Sequence, residues 1–249
     1  MILKKFQLTY KPFGESAILV EWPQEISKDV LNDIRVFVSK IEKENVEQIL
    51  ELNFIYHSLL VIYKSSKISF SVLKKELHRI YNDEFIVIMN LKKTNTVWEI
   101  PVCYDLEFGI DLPFLSIEKN LSIEKIISIH SQAIYTVFGI GFLPGFLYLG
   151  GLSEKIHCPR RDTPRMEVPK GGVSIGGNQT GIYPQTSPGG WHIIGKTPVS
   201  MFNINREIPC FINPGDQIKF KPILKNEFEI IKIDDEAGNY ELKKANGND

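Results

Sequence analysis

Cysteine is scarce in this 249-residue sequence: Cys103, Cys158 and Cys210 stand far apart and without CxxC spacing. That spacing argues against a disulfide framework or a cysteine-built zinc site and points to a reducing cytoplasm. Charge of one sign is also lacking. With 29 Lys and Arg against 30 Asp and Glu, the formal net charge is −1. No overall field therefore recruits nucleic acid or an anionic membrane surface. Long hydrophobic runs are missing, and none approaches the roughly 18 residues of a membrane span. The start, Met-Ile-Leu-Lys-Lys-Phe-Gln, has no apolar signal-peptide core and reads as a first strand. No internal repeat occurs. What is present is the composition of an ordinary globular protein, 43% hydrophobic and 24% charged. Its length suits one large domain or two modest ones.

The first third alternates and repeats in a regular way. Residues 4–10 and 15–21 read as strands joined by the turn Lys11-Pro-Phe-Gly14. Ser27 is placed to cap a helix to about Lys43, with Val30, Leu31, Ile34, Phe37, Val38 and Ile41 on one face. Strands are expected at 46–55 and 58–63, a helix at 69–81 and a strand at 84–89. The order ββαββα(β) predicts an α+β fold, a two-layer sandwich with both helices on one face. The polar segment Lys92-Lys-Thr-Asn-Thr96 marks the boundary, giving domains 1–92 and 93–249.

Beyond it, residues 97–104 read as a strand. Asp111 with Pro113 opens a short helix, and Ser122 caps another to about Gln132. His130 near that helix's end would have its protonated form favoured by the dipole, although packing or capping is its more ordinary role. After Gly150 the helical signal stops. Short apolar runs at 172–175, 193–195, 199–203, 217–221 and 228–233 predict strands of a closed or nearly closed β-barrel. The polar tail 243–249 is expected to fray.

Residues 138–202 hold most of the 18 glycines and have the most unusual grammar. Glycine admits positive φ and close backbone approach, while proline restricts φ. Such a path is worth encoding where backbone must face a ligand, although a barrel with tight corners would also demand it. Gly172-Val-Ser-Ile-Gly176 matches the GxSxG pattern, but no helix can readily follow it, so Ser174 reads as a strand residue. Arg160, Arg161 and Arg165 stand among prolines and could grip a carboxylate or phosphate. The plainer alternative pairs them at the surface with Asp162 and Glu167. Lys170 adds a cation, and Gln179, Thr180 and Tyr183 add neutral hydrogen-bonding groups. Trp191 could present its indole at a groove or pack in the core, and His192 could serve as general acid or base. Together they suit a small cyclic or peptide-like anion.

Several of these stretches resemble one family's signature. They are Gly141-Phe-Leu-Pro-Gly-Phe-Leu-Tyr-Leu-Gly-Gly-Leu152, Pro159-Arg-Arg-Asp-Thr-Pro-Arg165, Val168-Pro-Lys-Gly-Gly172, Gln179-Thr-Gly-Ile-Tyr-Pro184, Ser187-Pro-Gly-Gly-Trp191 and Ile194-Gly-Lys-Thr-Pro198. The family is that of the bacterial 5-oxoprolinase B subunit, also called the KipI or allophanate hydrolase subunit 1 family. The resemblance runs through essentially the whole chain. It implies a small α+β domain followed by a cyclophilin-like β-barrel, and two partners, the C and A subunits of 5-oxoprolinase. It also implies ATP-dependent opening of 5-oxoproline to glutamate by the assembly. Members of the same family include an inhibitor of a sporulation histidine kinase and relatives of urea carboxylase domains. Gly172 departs from the family's frequent serine, and His192 from its glutamine or asparagine.

Overall fold

A computed structural model describes residues 6–83 and 96–245 of the chain. The chain folds as two compact units, Met1–Thr94 and Asn95–Asp249. In the first, β1 (Thr9–Pro12), β2 (Ala17–Glu21), α1 (Lys28–Glu44), β3 (Ile49–Ile55), β4 (Ser58–Tyr63) and α2 (Phe70–Asn82) follow in turn. The strands pair antiparallel in the order β1-β2-β4-β3. Ser27 and Ser69 cap the helices by accepting from Val30 N at 3.3 Å and Val72 N at 3.4 Å. Alternation along β4 turns Leu59, Val61 and Tyr63 inward, where Ile34, Phe37, Leu73 and Leu77 from the helices meet them. Asp33 is buried in this core and accepts from Trp22 Nε1 at 2.7 Å and Tyr81 Oη at 2.8 Å. The strand expected at 84–89 lies outside the described residues.

The second unit contains β5 (Val97–Cys103), α3 (Leu112–Lys119), α4 (Ile123–Gln132), β6 (Ile134–Ile140), β7 (Leu147–Gly150) and β8 (Arg165–Val168). It continues with β9 (Gly172–Gly176), β10 (Gln179–Ile182), β11 (Ser187–Gly189), β12 (His192–Lys196), β13 (Gln217–Ile223), α5 (Lys225–Glu236) and β14 (Lys244–Ala245). Seven strands close a mixed barrel in the order β6-β13-β5-β12-β9-β10-β7, with β7 returning to β6. The β5–β13 pair is parallel, with Gln217 opposite Val97 and Ile223 opposite Cys103. Closure removes exposed edges from those strands. The interior is filled by Ile100, Val102, Tyr135, Val137, Leu149, Val173, Ile175, Ile182 and Phe220. Outside this circuit, β8 and β11 form a two-stranded ribbon that carries the proline-rich arginine segment.

Two expected strands are corrected. Residues 228–233 belong to α5, whose buried side chains Phe228, Ile231 and Asp235 recur at helical spacing while Ile230 and Ile233 face solvent. Residues 199–203 form no strand. Their backbone is tied down by side chains instead, as when Asp235 accepts from Ser200 N at 3.0 Å. Among the described residues, no helix is long and apolar enough to cross a membrane.

Candidate functional site

The site is built around a residue expected only to open a helix. Asp111 precedes α3 at the N-cap position, yet its carboxylate makes no capping bond. Pro113 removes the N–H that such a cap would use at the second helical position. The carboxylate turns instead toward β12 and the arginine segment. It accepts from Ile193 N at 2.7 Å, while Asp111 N donates to Ile193 O at 2.9 Å. Arg165 grips it with both arms of its fork, at 2.9 and 2.6 Å, and Arg161 adds a longer contact of 3.5 Å. Asp111 is 3% exposed, so removing one partner from this group has a large cost, about 3–5 kcal/mol for a buried pair.

The three arginines therefore differ. Arg161 and Arg165 are paired, and their partner is Asp111 rather than Asp162 or Glu167. Arg160 is exposed and makes no ion pair among the described residues. Its guanidinium lies over the Trp191 ring, 5.7 Å from the centroid. Its charge offsets part of the upward pull of burial on the Tyr148 and Tyr183 hydroxyls.

Trp191 is not presented in a groove. It is 4% exposed and packs with Phe146, Val168, Tyr183 and Ile193 in a small second core of this unit. Here the glycines have a specific reason. A Cβ at Gly176 would stand 2.5 Å from the Trp191 ring, one at Gly181 3.0 Å from it, and one at Gly189 would collide with the Tyr183 hydroxyl. These glycines make room for aromatic rings rather than offering backbone to a ligand. One exposed aromatic went unnoticed in the sequence. Phe142 has φ 65° and is 62% exposed, with its ring edge-on to Phe146 at 5.6 Å. Its signal was a bulky residue inside Gly141-Phe-Leu-Pro-Gly145, where such a φ stores strain of about 1–3 kcal/mol.

His192 is buried and stacks on Phe114 with centroids 5.0 Å apart. Its Nε2 lies 3.0 Å from Pro159 O. A carbonyl only accepts, so Nε2 carries the proton and Nδ1 holds a lone pair. Nδ1 has no hydrogen-bond partner among the described residues, and neither has Arg161 Nε. Burial, reinforced by Arg161 and Arg165, pulls the His192 pKa below its ordinary value; the Pro159 bond and Asp111 oppose this. The ring is neutral at pH 7 and is placed as a spacer between Pro159 and Phe114.

Two further expected members face elsewhere. Thr180 is fully buried, donates to Ser174 O at 2.9 Å and lies 2.9 Å from His130 Nε2. Its single proton is committed, so His130 donates through Nε2 and its Nδ1 accepts from Tyr104 Oη at 2.8 Å. Burial drives the His130 pKa down to about 3, opposite to the expected effect of the helix end. Gln179 is also buried. Lys170 is directed to another cluster, where its Nζ donates to Ser200 Oγ at 2.9 Å. There Arg206 joins Ser200 O to Asp235, at 3.0 Å each. The structure thus gathers Arg160, Arg161, Arg165, Trp191, Tyr183 and His192 around one ribbon. Thr180 joins the His130 network, and Lys170 joins the Ser200–Asp235 cluster.

Residues 8–212 match the carboxyltransferase domain family, subdomains C and D. The fold agrees with that class. The urea amidolyase of K. lactis superposes with a TM-score of 0.81 over 98% of this chain and 17% of its own, at 20% identity. TTHA0988 superposes with a TM-score of 0.71 at 28% identity, over 83% of this chain and 40% of that one. The 5-oxoprolinase B subunit of Bacillus subtilis is 33% identical over 88% of this chain and 94% of its own. That of Haemophilus influenzae is 38% identical over 84% and 95%. The chain belongs to the carboxyltransferase subdomain C and D family, within the group of 5-oxoprolinase B subunits.

Proposed function

We propose that this chain is the B subunit of a multi-subunit, ATP-dependent 5-oxoprolinase that opens 5-oxo-L-proline to L-glutamate. The observation that carries this reading is its similarity to proteins of that name over nearly their whole length. We assign the first unit to an α+β domain and the second to a cyclophilin-like barrel domain, both working in the cytoplasm with the C and A subunits. ATP belongs to the assembly in this reading. Phosphorylation of the lactam carbonyl oxygen makes C5 a better electrophile. Water then adds there and the ring C–N bond breaks, the nitrogen taking up a proton; the γ-glutamyl phosphate so formed is hydrolysed by a second water to glutamate and phosphate.

The contribution of this chain is recognition of the substrate anion. Arg160 offers an unpaired guanidinium beside an aromatic wall, which suits a small ring bearing one carboxylate. Tyr148 and Phe142 border the same aromatic cluster through Phe146. His192 positions Pro159 and so supports Arg160 from behind.

The test mixes purified chain with its cognate C and A subunits, ATP and 5-oxoproline. Glutamate release should require all three proteins, and the chain alone should release none. Release that is undiminished without this chain would overturn the reading. Two further arms address the alternatives, a sporulation histidine kinase inhibitor and an allophanate hydrolase or urea carboxylase component. Micromolar chain should leave autophosphorylation of a host sensor kinase unchanged, and urea should not replace 5-oxoproline as substrate.

A further inference from the structure

We propose that Asp111 is a positioning residue of this site: its buried carboxylate sets where the arginine segment and the start of β12 lie, and thereby the aim of Arg160. The substrate readout rests on the function proposed above; the structural readout does not.

The segment 159–165 is held at three points. Pro159 O accepts from His192 Nε2, Arg161 N donates to Gly190 O at 2.8 Å, and the Arg165 fork closes on Asp111. Arg160 lies between the first two points and has no ion-pair anchor of its own among the described residues. The other ends of the first two ties sit on one short stretch, Gly190 through Ile193. Asp111 holds that stretch from the far side by two hydrogen bonds to the backbone of Ile193. One carboxylate thus restrains both sides of the mount on which Arg160 stands.

Asp111 also sets the charge of the wall. Three guanidinium groups within six residues would favour polyvalent anions. The buried carboxylate engages two of them and leaves Arg160 to meet a single carboxylate. A mere helix cap would need none of this geometry, and no capping bond is made. Asp111 acts through Arg165 and Ile193 and need not touch the substrate.

The experiment uses the full chain, alone and in the complex with its C and A partners, as wild type, Asp111→Asn and Asp111→Glu. The asparagine keeps the shape and removes the charge; the glutamate keeps the charge on a longer stem. In Asp111→Asn, trypsin should cut after Arg160, Arg161 or Arg165 about ten-fold faster, normalised to folded protein by circular dichroism. KM for 5-oxoproline should rise about ten-fold with kcat within about three-fold, the pattern of lost ground-state binding. Asp111→Glu should recover part of both effects. Wild-type cleavage rates in Asp111→Asn overturn the proposal, as does a loss of activity that tracks only the folded fraction. A wild-type complex that makes no glutamate defeats the 5-oxoprolinase reading instead, and proteolysis still decides the role of Asp111.

Discussion

At the scale of single residues, the site shows that chemically identical side chains are separated by their partners. Arg160, Arg161 and Arg165 cannot be ranked from their codes. Asp111 ranks them by engaging two and leaving one. Arg160→Ala should raise KM of the assembled complex for 5-oxoproline at least ten-fold, the loss of a charge-assisted contact. It should change unfolding free energy by less than about 0.5 kcal/mol, as for an exposed position. Kinetics and denaturant melts on the same preparation check both; a large loss of stability would make Arg160 structural. Gly176→Ala tests the opposite kind of residue. Its new Cβ would press on the Trp191 ring at 2.5 Å and should destabilise by about 1–3 kcal/mol, read from the urea midpoint. The density of glycine was plain in the sequence. That it serves rings was not, because the rings approach from other strands.

At the scale of elements, local signals worked where a helix or strand shows its own period and caps. Ser27 and Ser122 each accept a backbone N–H as expected, and Ser69 does the same. Ser27→Ala should cost about 1 kcal/mol in denaturant unfolding, the usual value of such a cap. The α5 segment failed because Phe-Glu-Ile-Ile-Lys-Ile over 228–233 carries short-range alternation as well as helical spacing, and only packing chooses between them. His130 packs in the interior, its more ordinary role, and there the helix end does not set its charge. The helix end favours its charged form by a fraction of a kcal/mol up to about 2. Complete burial between Tyr104, Thr180 and Phe220 outweighs that and drives the pKa to about 3. The sign then follows. Between pH 6.5, the ordinary value, and about 3, the unfolded chain binds a proton that the folded one excludes. This contribution is complete above about pH 6.5 and is lost as pH falls toward 3. Wild-type Tm should therefore decline across this window more steeply than that of His130→Gln. Identical slopes would exclude the histidine as the cause.

At the scale of the molecule, buried aspartates recur as ties between distant segments. Asp33 holds Trp22 and Tyr81, and Asp216 holds Trp98 and Asn213 N. Asp235 holds Ser200 N and Arg206, while Asp111 holds Ile193 and the arginines. The seven barrel strands close within the second unit, so residues 95–249 expressed alone should fold. A dispersed amide NMR spectrum and cooperative melting would bear that out; a molten spectrum would count against an independent domain.

The sequence by itself determined the membership in its family, the α+β character and the helices capped by Ser27 and Ser122, since each depends on residues adjacent in the chain. Even the strand assignment of Ser174 followed from what comes after it. Only the tertiary structure decided that Asp111 would leave its helix for Arg165, 54 positions away, that Thr180 would face His130 rather than a ligand, and that Lys170 would turn to Ser200. The physical reason is common to all three. Each polar side chain pairs with a partner that the fold brings beside it from far along the chain, and that neighbour leaves no trace in local spacing.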